Sequence, residues 1–453
     1  AARTIAGQGF RGTATDVTEE MEARQRVEYL SRHDVLTGLP NRHQLRDFLE
    51  GTLAPSLAAG APLVMLTIDL DRFKPVNDLL GHATGDRVLR QIAARIKQCV
   101  RTEDLVARVG GDEFVMVVAG KVEHAEVEAI CQRLIALIEQ VMVIDGQEIF
   151  VSASVGIAMA PTDASQAAEL LRYSDIALYE AKASGRGTWR FYDSEMNNRI
   201  IERRRLESDL RYAISHDELR LHFQPRLRIN DGQMMGAEAL VRWQHPERGL
   251  LAPDAFVPIA EETGLVIALG DWVMNTACRQ AVQWPDDLCV SVNISSKEFQ
   301  GEQLVERVKS ALATSGLAAR RLELEVTESV MLEDAEHALE LMRALKTLGV
   351  RLSMDDFGTG YSSLSYLRSF PFDGLKIDRS FVSRLGESEP DLAIVEAVIG
   401  LGKALSLTVT AEGIETLEQL RLLDSVACDE GQGYFLSRPL EPAQFEEWLL
   451  PRR

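Results

Sequence analysis

Residues 351–356, Arg-Leu-Ser-Met-Asp-Asp, form a short β-like run that ends in two adjacent carboxylates. A buried Asp355-Asp356 pair would repel itself without a cation, so the run points to metal rather than to structure alone. Working outward from about Leu206 to Leu450, seven further β-like runs end in a residue able to bind metal or phosphate: Gln224, Glu238, Asn293, Glu325, Lys376, Glu412 and Gln432. Amphipathic helical stretches separate most of them. Such alternation predicts an α/β TIM-like (β/α)8 barrel, whose chemistry lies at the C-terminal ends of its strands. Any one of these polar residues has an ordinary reading as a capped loop or a buried hydrogen bond; eight together do not. Glu238, Asn293, Glu325, Asp355 and Asp356 supply four carboxylates and an amide, enough oxygen for two hard cations about 4 Å apart, with Asp355 as a bridge. Lys376 and Glu412 are then placed to orient a water for in-line attack on a phosphodiester.

The whole chain has 453 residues, longer than one hydrophobic core usually supports. Its 46% hydrophobic and 26% charged composition excludes a disordered chain, and no apolar run is long enough to cross a bilayer. A formal charge of −20 works against nucleic-acid polymers and anionic lipid surfaces, so neither is expected as a partner of this segment. Cys99, Cys131, Cys278, Cys289 and Cys428 form no Cys-x-x-Cys pair and read as reduced core residues. The expected location is cytoplasmic. Because residue 1 is Ala and no signal-peptide pattern follows, the chain reads as a piece of something larger, such as the cytoplasmic part of a sensor protein.

The N-terminal half alternates differently. Leu63–Leu70 reads as a buried strand and Asp86–Cys99 as a helix; Leu105–Val109 and Glu113–Val118 flank Gly110-Gly111 as a hairpin. Phe150–Met159 is a further strand, and Ala164–Ala183 is a helix that stops at Gly185. The order predicts an α+β sheet with helices packed on one side. Asp69 at a strand end and Asp112 beside the hairpin turn can meet around magnesium, with Lys182 and Arg186 as fixed positive charge for phosphates, a geometry suited to phosphoryl transfer. A charged helix from Asn197 to about Ile214 separates the halves, and a shorter one from Thr18 to Ser31 leads in.

The run Arg108-Val109-Gly110-Gly111-Asp112-Glu113-Phe114 resembles the signature of GGDEF diguanylate cyclases. Asp34–Arg42 is similar to that family's D-x-LTGLPNR entry, and Asp69–Asp78 to its D-x-D-x-FK-x-x-ND stretch. The resemblance implies a palm-type cyclase fold over 32–192. It implies that Asp69, the Leu70 carbonyl and Asp112 bind one or two Mg²⁺ or Mn²⁺ ions with GTP, beside Glu113 in the active hairpin. By the same resemblance Asn77 and Asp86 read guanine, and Phe73, Lys74, Lys182 and Arg186 hold phosphates. Arg101 and Asp104 stand at the family's inhibitory product site. Synthesis of cyclic di-GMP from two GTP needs two such domains face to face, so a homodimer is implied.

Glu238-Ala239-Leu240-Val241-Arg242-Trp243 resembles the opening motif of EAL phosphodiesterases, which cleave cyclic di-GMP to linear pGpG. Gln224-Pro225, Asn293-Ile294-Ser295, Glu325–Glu328, Asp355–Gly360, Lys376-Ile377-Asp378 and Ala411-Glu412-Gly413 extend the match through the block. The resemblance implies that Glu238, Asn293, Glu325, Asp355, Asp356 and Glu412 hold two Mg²⁺ or Mn²⁺ ions. Lys376 touches the attacking water, and Gln224, Arg242 and Gln432 contact substrate. Glu328 anchors the regulatory loop after Asp356. Phe10–Glu19 faintly resembles the exit of a PAS domain. The expected organisation is a lead at 1–31, a GGDEF domain at 32–192, a helical linker at 193–205 and an EAL domain at 206–453. Three functions fit: a bifunctional enzyme with net hydrolysis, a phosphodiesterase whose GGDEF domain binds GTP only as an activator, and a silent cyclic di-GMP receptor.

Overall fold

The computed structural model describes residues 2–4, 10–12, 26–120, 123–301, 303–328, 330, 334–358, 364–386 and 389–449. Most of the PAS-like segment and of the lead helix, and the segment 359–363 after Asp356, lie outside them. The chain divides into two compact units, 1–201 and 202–453, and the division falls inside the helix Ser194–Ala213. That helix starts one residue into the linker expected at 193–205 and runs eight residues past its end.

In the first unit, strands β1 (Leu63–Asp71), β2 (Leu105–Gly110), β3 (Glu113–Ala119), β4 (Ser152–Ala160) and β5 (Trp189–Phe191) form one sheet in the order β2-β3-β1-β4-β5. Contrary to expectation, helices cover both faces. Val64, Leu66 and Ile68 pack with Ile92 and Leu134 on one side, while Leu63 and Met65 pack with Leu45, Leu49 and Leu170 on the other. A central strand apolar at nearly every position has to be sandwiched, because an open face would leave half of those side chains in water. Gly156 on β4 makes one close approach possible: a Cβ there would lie 2.0 Å from the Ser174 carbonyl oxygen and 2.1 Å from the Leu178 nitrogen, both in the helix Ala167–Ala183.

The second unit closes into an eight-stranded barrel: β6 (Leu219–Arg228), β7 (Met234–His245), β8 (Cys289–Ile294), β9 (Leu322–Thr327), β10 (Arg351–Phe357), β11 (Gly374–Ile377), β12 (Thr408–Ala411) and β13 (Glu430–Gly431). Neighbours from β7 to β13 run parallel, but β6 is antiparallel to both β7 and β13. The eight polar residues therefore do not all end strands. Gln224 and Glu238 face one another in the middle of the β6–β7 pair, whose strands are longer than those of an ordinary barrel. Valines and leucines such as Val290, Val292, Leu324, Leu352 and Val409 fill the layer between barrel and helices. All five cysteines are buried and unbridged. No described helix is long and apolar enough to cross a membrane.

Candidate active sites

At the mouth of the barrel, Lys376 on β11 is the hub. It is 1% exposed, and its Nζ lies 2.5 Å from Glu412 Oε1, 2.7 Å from Glu325 Oε2, 3.4 Å from Asp355 Oδ1 and 3.6 Å from Glu238 Oε2. Three strands, β7, β9 and β10, and the residue after β12 thus converge on one ammonium. Glu238 is held from its other side: Asn293 Nδ2 donates to Oε1 and Gln432 Nε2 to Oε2, both at 2.6 Å. Gln432 also donates to Gln224 Oε1 at 3.0 Å, and Gln224 Nε2 donates to the Ser437 carbonyl. An open cleft of about 300 Å³ lies over these groups, with Arg379 and Tyr434 in its lining. Arg242 lies on the same face of β7 as Glu238 by strand alternation, its guanidinium donating to the Val241 carbonyl at 2.8 Å.

Successive side chains on a strand point to opposite faces, so Asp355 and Asp356 would ordinarily diverge. Asp356 instead adopts φ 55°, a left-handed conformation costly for a non-glycine residue, and the β10–β11 register is irregular between Met354 and Phe357. The kink puts oxygens of Asp355, Asp356 and Glu412 within 4.8 Å of one another. Among the described residues this is the acidic group close enough to share an ion.

The electrostatics fit a divalent cation. Burial raises the Glu412 carboxyl, Lys376 opposes that, and the neighbouring Asp355 and Glu238 carboxylates add to the rise, so it is pushed up to about 7. Glu325 is held far above the ordinary carboxylate range, first by burial and then by Glu238 and Asp355. Asp356 is raised by burial and by Asp355. Burial acts against Glu238 as well, but Lys376 and the Gln432 and Asn293 hydrogen bonds bring it below its usual value. An all-oxygen set of surplus buried carboxylates is the donor chemistry of Mg²⁺ and Mn²⁺. Glu328, the residue after β9, is buried.

The second candidate site is built on the β2–β3 hairpin. Gly111 takes φ 51° in the turn, and Asp69 on β1 pairs in register with Glu113 on β3. The Leu70 amide donates to the Asp112 carbonyl at 3.4 Å. Lys182 Nζ binds Asp69 Oδ1 at 2.7 Å. Burial raises the Asp69 carboxyl, Lys182 opposes that, and Asp112 and Glu113 add to it, which places the three acids together. They do not close into a group as tight as that of the barrel. Phe73 is buried and Lys74 exposed at the start of the helix Phe73–Leu80. Asn77 and Phe73 lie against Gly85, next to Asp86, where a Cβ would meet Asn77 Oδ1 at 1.9 Å. Arg186 is exposed beyond Lys182, with φ 64°. Away from this site, Asp104 accepts from the Arg101 and Ala119 amides at 2.8 and 3.1 Å and lines a concavity of about 390 Å³ with Arg101 and Arg133.

Two groups of residues were not singled out from sequence. Arg108 donates to the Gly111 carbonyl at 2.7 and 3.0 Å and to both Asp34 oxygens at 3.0 and 3.1 Å, tying the hairpin tip to the turn that Asp34 organises by accepting from Thr37. Arg226, Glu323 and Glu430 form a charged tier inside the barrel. Their signal was present: Leu322-Glu323-Leu324-Glu325 sets two acids at alternate positions of a strand buried on both faces.

Comparison with known proteins agrees with both halves. The EAL domain profile matches residues 207–439, and the diguanylate cyclase, GGDEF domain profile matches residues 31–188. The bifunctional diguanylate cyclase/cyclic di-GMP phosphodiesterase MucR of Pseudomonas aeruginosa is 41% identical over 436 residues, 95% of this chain and 64% of MucR. The solved PaMucR phosphodiesterase, in a c-di-GMP complex, is 44% identical with a TM-score of 0.52, over 53% of this chain and 99% of that one. The LapD S helix-GGDEF-EAL structure from Vibrio cholerae, bound to c-di-GMP, shares the fold at 18% identity, with a TM-score of 0.62 over 93% of this chain and all of that one. The chain spans between about half and two thirds of the length of the curated relatives it matches. With both profiles in tandem and each laid over one of the two units, the chain belongs to the GGDEF–EAL family of cyclic di-GMP signalling proteins.

Proposed function

We propose that the barrel hydrolyses cyclic di-GMP to pGpG with Mg²⁺ or Mn²⁺. The observation that carries this reading is the convergence of Glu238, Glu325, Asp355 and Glu412 on Lys376, with Asp356 turned to the same side as Asp355. Glu238, Asn293, Glu325, Asp355, Asp356 and Glu412 are the residues to hold two cations, which when bound supply a low-pKa water and draw charge from the phosphodiester. Lys376 has the donors to orient that water, and Glu412, 2.5 Å from the Lys376 ammonium, is the carboxylate beside it to take its proton. Gln224, Arg242 and Gln432 line the approach for the dinucleotide. Water adds to phosphorus, the bond to the 3′ oxygen breaks, and that oxygen leaves as a hydroxyl. The barrel residues all come from one chain.

For the N-terminal unit the reading is GTP binding, with Asp69, Leu70 and Asp112 toward one or two metal ions and Glu113 beside them, and synthesis of cyclic di-GMP when two copies form a homodimer. A second reading, GTP as an activator of hydrolysis only, is favoured by one observation: Asp69 is engaged by Lys182, and the three acids do not close as the barrel acids do. Purified protein given cyclic di-GMP and Mn²⁺ is expected to yield pGpG, and Glu238→Ala to abolish it; turnover that persists in the variant removes the barrel site from the reading. Given GTP alone, the parent is expected to form cyclic di-GMP or pGpG, and Asp112→Ala neither. GTP that accelerates hydrolysis without being consumed selects the second reading.

A further inference from the structure

One tier below Lys376, the barrel interior holds a second set of charges. Arg226 on β6 is 2% exposed, and its guanidinium spans three strands. Nη1 and Nη2 reach the two Glu323 oxygens on β9 at 2.5 and 3.3 Å, and Nη1 also donates to Ser291 Oγ on β8 at 3.0 Å. Nε lies 2.8 Å from Glu430 Oε2 on β13. Arg351 adds a 3.3 Å pair to Glu323 from β10. Counted alone, this tier balances two guanidiniums against two carboxylates.

Arg226 also reaches upward. Its Nη1 is 3.7 Å from Glu325 Oε1, and Glu325 stands two residues after Glu323, so both acids face the barrel interior. The two oxygens of Glu325 are thereby treated differently. Oε2 is bonded to Lys376 at 2.7 Å, whereas Oε1 has no hydrogen-bond partner among the described residues and lies in the field of Arg226. A carboxylate held this way has one edge set by the mouth and the other by the floor.

We infer that Arg226 is a positioning residue for Glu325: by pinning Glu323 and Glu430 and drawing on Glu325 Oε1, it fixes the carboxylate that the mouth presents to a divalent ion. This rests on the metal reading given under Proposed function. Groups that orient metal-ligating side chains are commonly worth 10–100-fold in metal affinity. A lysine cannot replace the guanidinium, because one ammonium cannot make the two-oxygen contact to Glu323 while reaching Glu430 and Glu325.

The test uses the full chain stripped with EDTA, with Mn²⁺ binding followed by titration calorimetry in the absence of dinucleotide. Arg226→Met alone leaves Glu430 without its guanidinium and Glu323 with Arg351 only, so the informative variant is Arg226→Met/Glu323→Gln/Glu430→Gln, which removes Arg226 together with its two carboxylate partners, keeps their bulk and leaves Arg351 as the tier's one charge. Its unfolding midpoint is expected to stay near the parent's, its Mn²⁺ affinity to fall about 10–100-fold, and its KM for cyclic di-GMP at saturating Mn²⁺ to move far less than kcat. Mn²⁺ affinity within twofold of the parent overturns the inference. If the triple variant does not fold, Arg226→Lys decides, with a loss of about tenfold expected and a change under twofold overturning it. Glu325→Gln separates the two readings: a parent that takes up no Mn²⁺, or a Glu325→Gln protein that binds it as the parent does, overturns the metal reading and this inference together. A loss in Glu325→Gln with none in the Arg226 variants overturns this inference alone.

Discussion

Replacing Lys376 by methionine removes the ammonium around which four acids are arranged. Its Nζ stands 2.5 to 3.6 Å from oxygens of Glu412, Glu325, Asp355 and Glu238. At an effective dielectric near 20, each such pair attracts by roughly 5 kcal/mol, most of it offset by the desolvation of burying the charges. Removing one partner leaves the other side uncompensated, which costs about 3–5 kcal/mol. For a unit of this size that corresponds to a fall of about 6–20 °C in the midpoint of its thermal transition. The assay is calorimetric unfolding of the full chain at pH 8 with EDTA, in which the barrel transition is identified by its upward shift with Mn²⁺. Mn²⁺ is expected to recover much of the loss, since a divalent ion supplies the missing positive charge. A midpoint in EDTA within about 2 °C of the parent's would refute the reasoning.

Three further outcomes are expected. Without metal, the folded chain keeps a proton on Glu412 up to about pH 7, whereas the unfolded chain releases it near 4.5, so barrel stability should fall as pH rises across that window; urea midpoints in EDTA that rise instead contradict the assignment. Gly156→Ala drives a methyl into helix backbone 2.0 Å away and should cost the N-terminal unit about 1–3 kcal/mol or more, checked by its own unfolding transition, with hydrolysis by the barrel as the internal control. Arg108→Ala unties the hairpin tip from Asp34 and should lower GTP conversion on the order of 10–100-fold, while pGpG formation from added cyclic di-GMP stays within twofold; equal rates of GTP conversion would show the clamp to be dispensable.

The barrel was legible because its chemistry recurs at fixed intervals. A hydrophobic run that ends in Asn293, Asp355 or Lys376 carries the same information each time, and repetition separates it from chance. Strand direction is not encoded that way. Gln224 looks like any other strand-end residue, yet it sits mid-strand in the antiparallel partner of β7. The second face of the N-terminal sheet escaped for a related reason: periodicity reports that Leu63–Leu70 is apolar throughout, but not which helix comes to cover each side. Neither could spacing show that Asp356 turns through a left-handed conformation, since a motif prints the residues and not their dihedral angles. Arg226 was hardest to see, because its partners lie 65 to 204 positions away and meet it only once the cylinder has closed.

The reversed strand β6 has a consequence for how such a protein can change over time. Read from Gln224 to Arg226 to Arg228, it drops one level of the cylinder every two residues, from an amide at the catalytic rim to a guanidinium at the floor to a side chain lining the concavity at the opposite end. Sliding it by two positions would preserve inward and outward alternation and nearly all of its backbone pairing, yet would exchange an uncharged contact for a cation at the rim where we propose that the phosphodiester binds. Alignment of this strand is therefore itself a determinant of chemistry, and the irregularity between Arg226 and Leu227 acts as its detent.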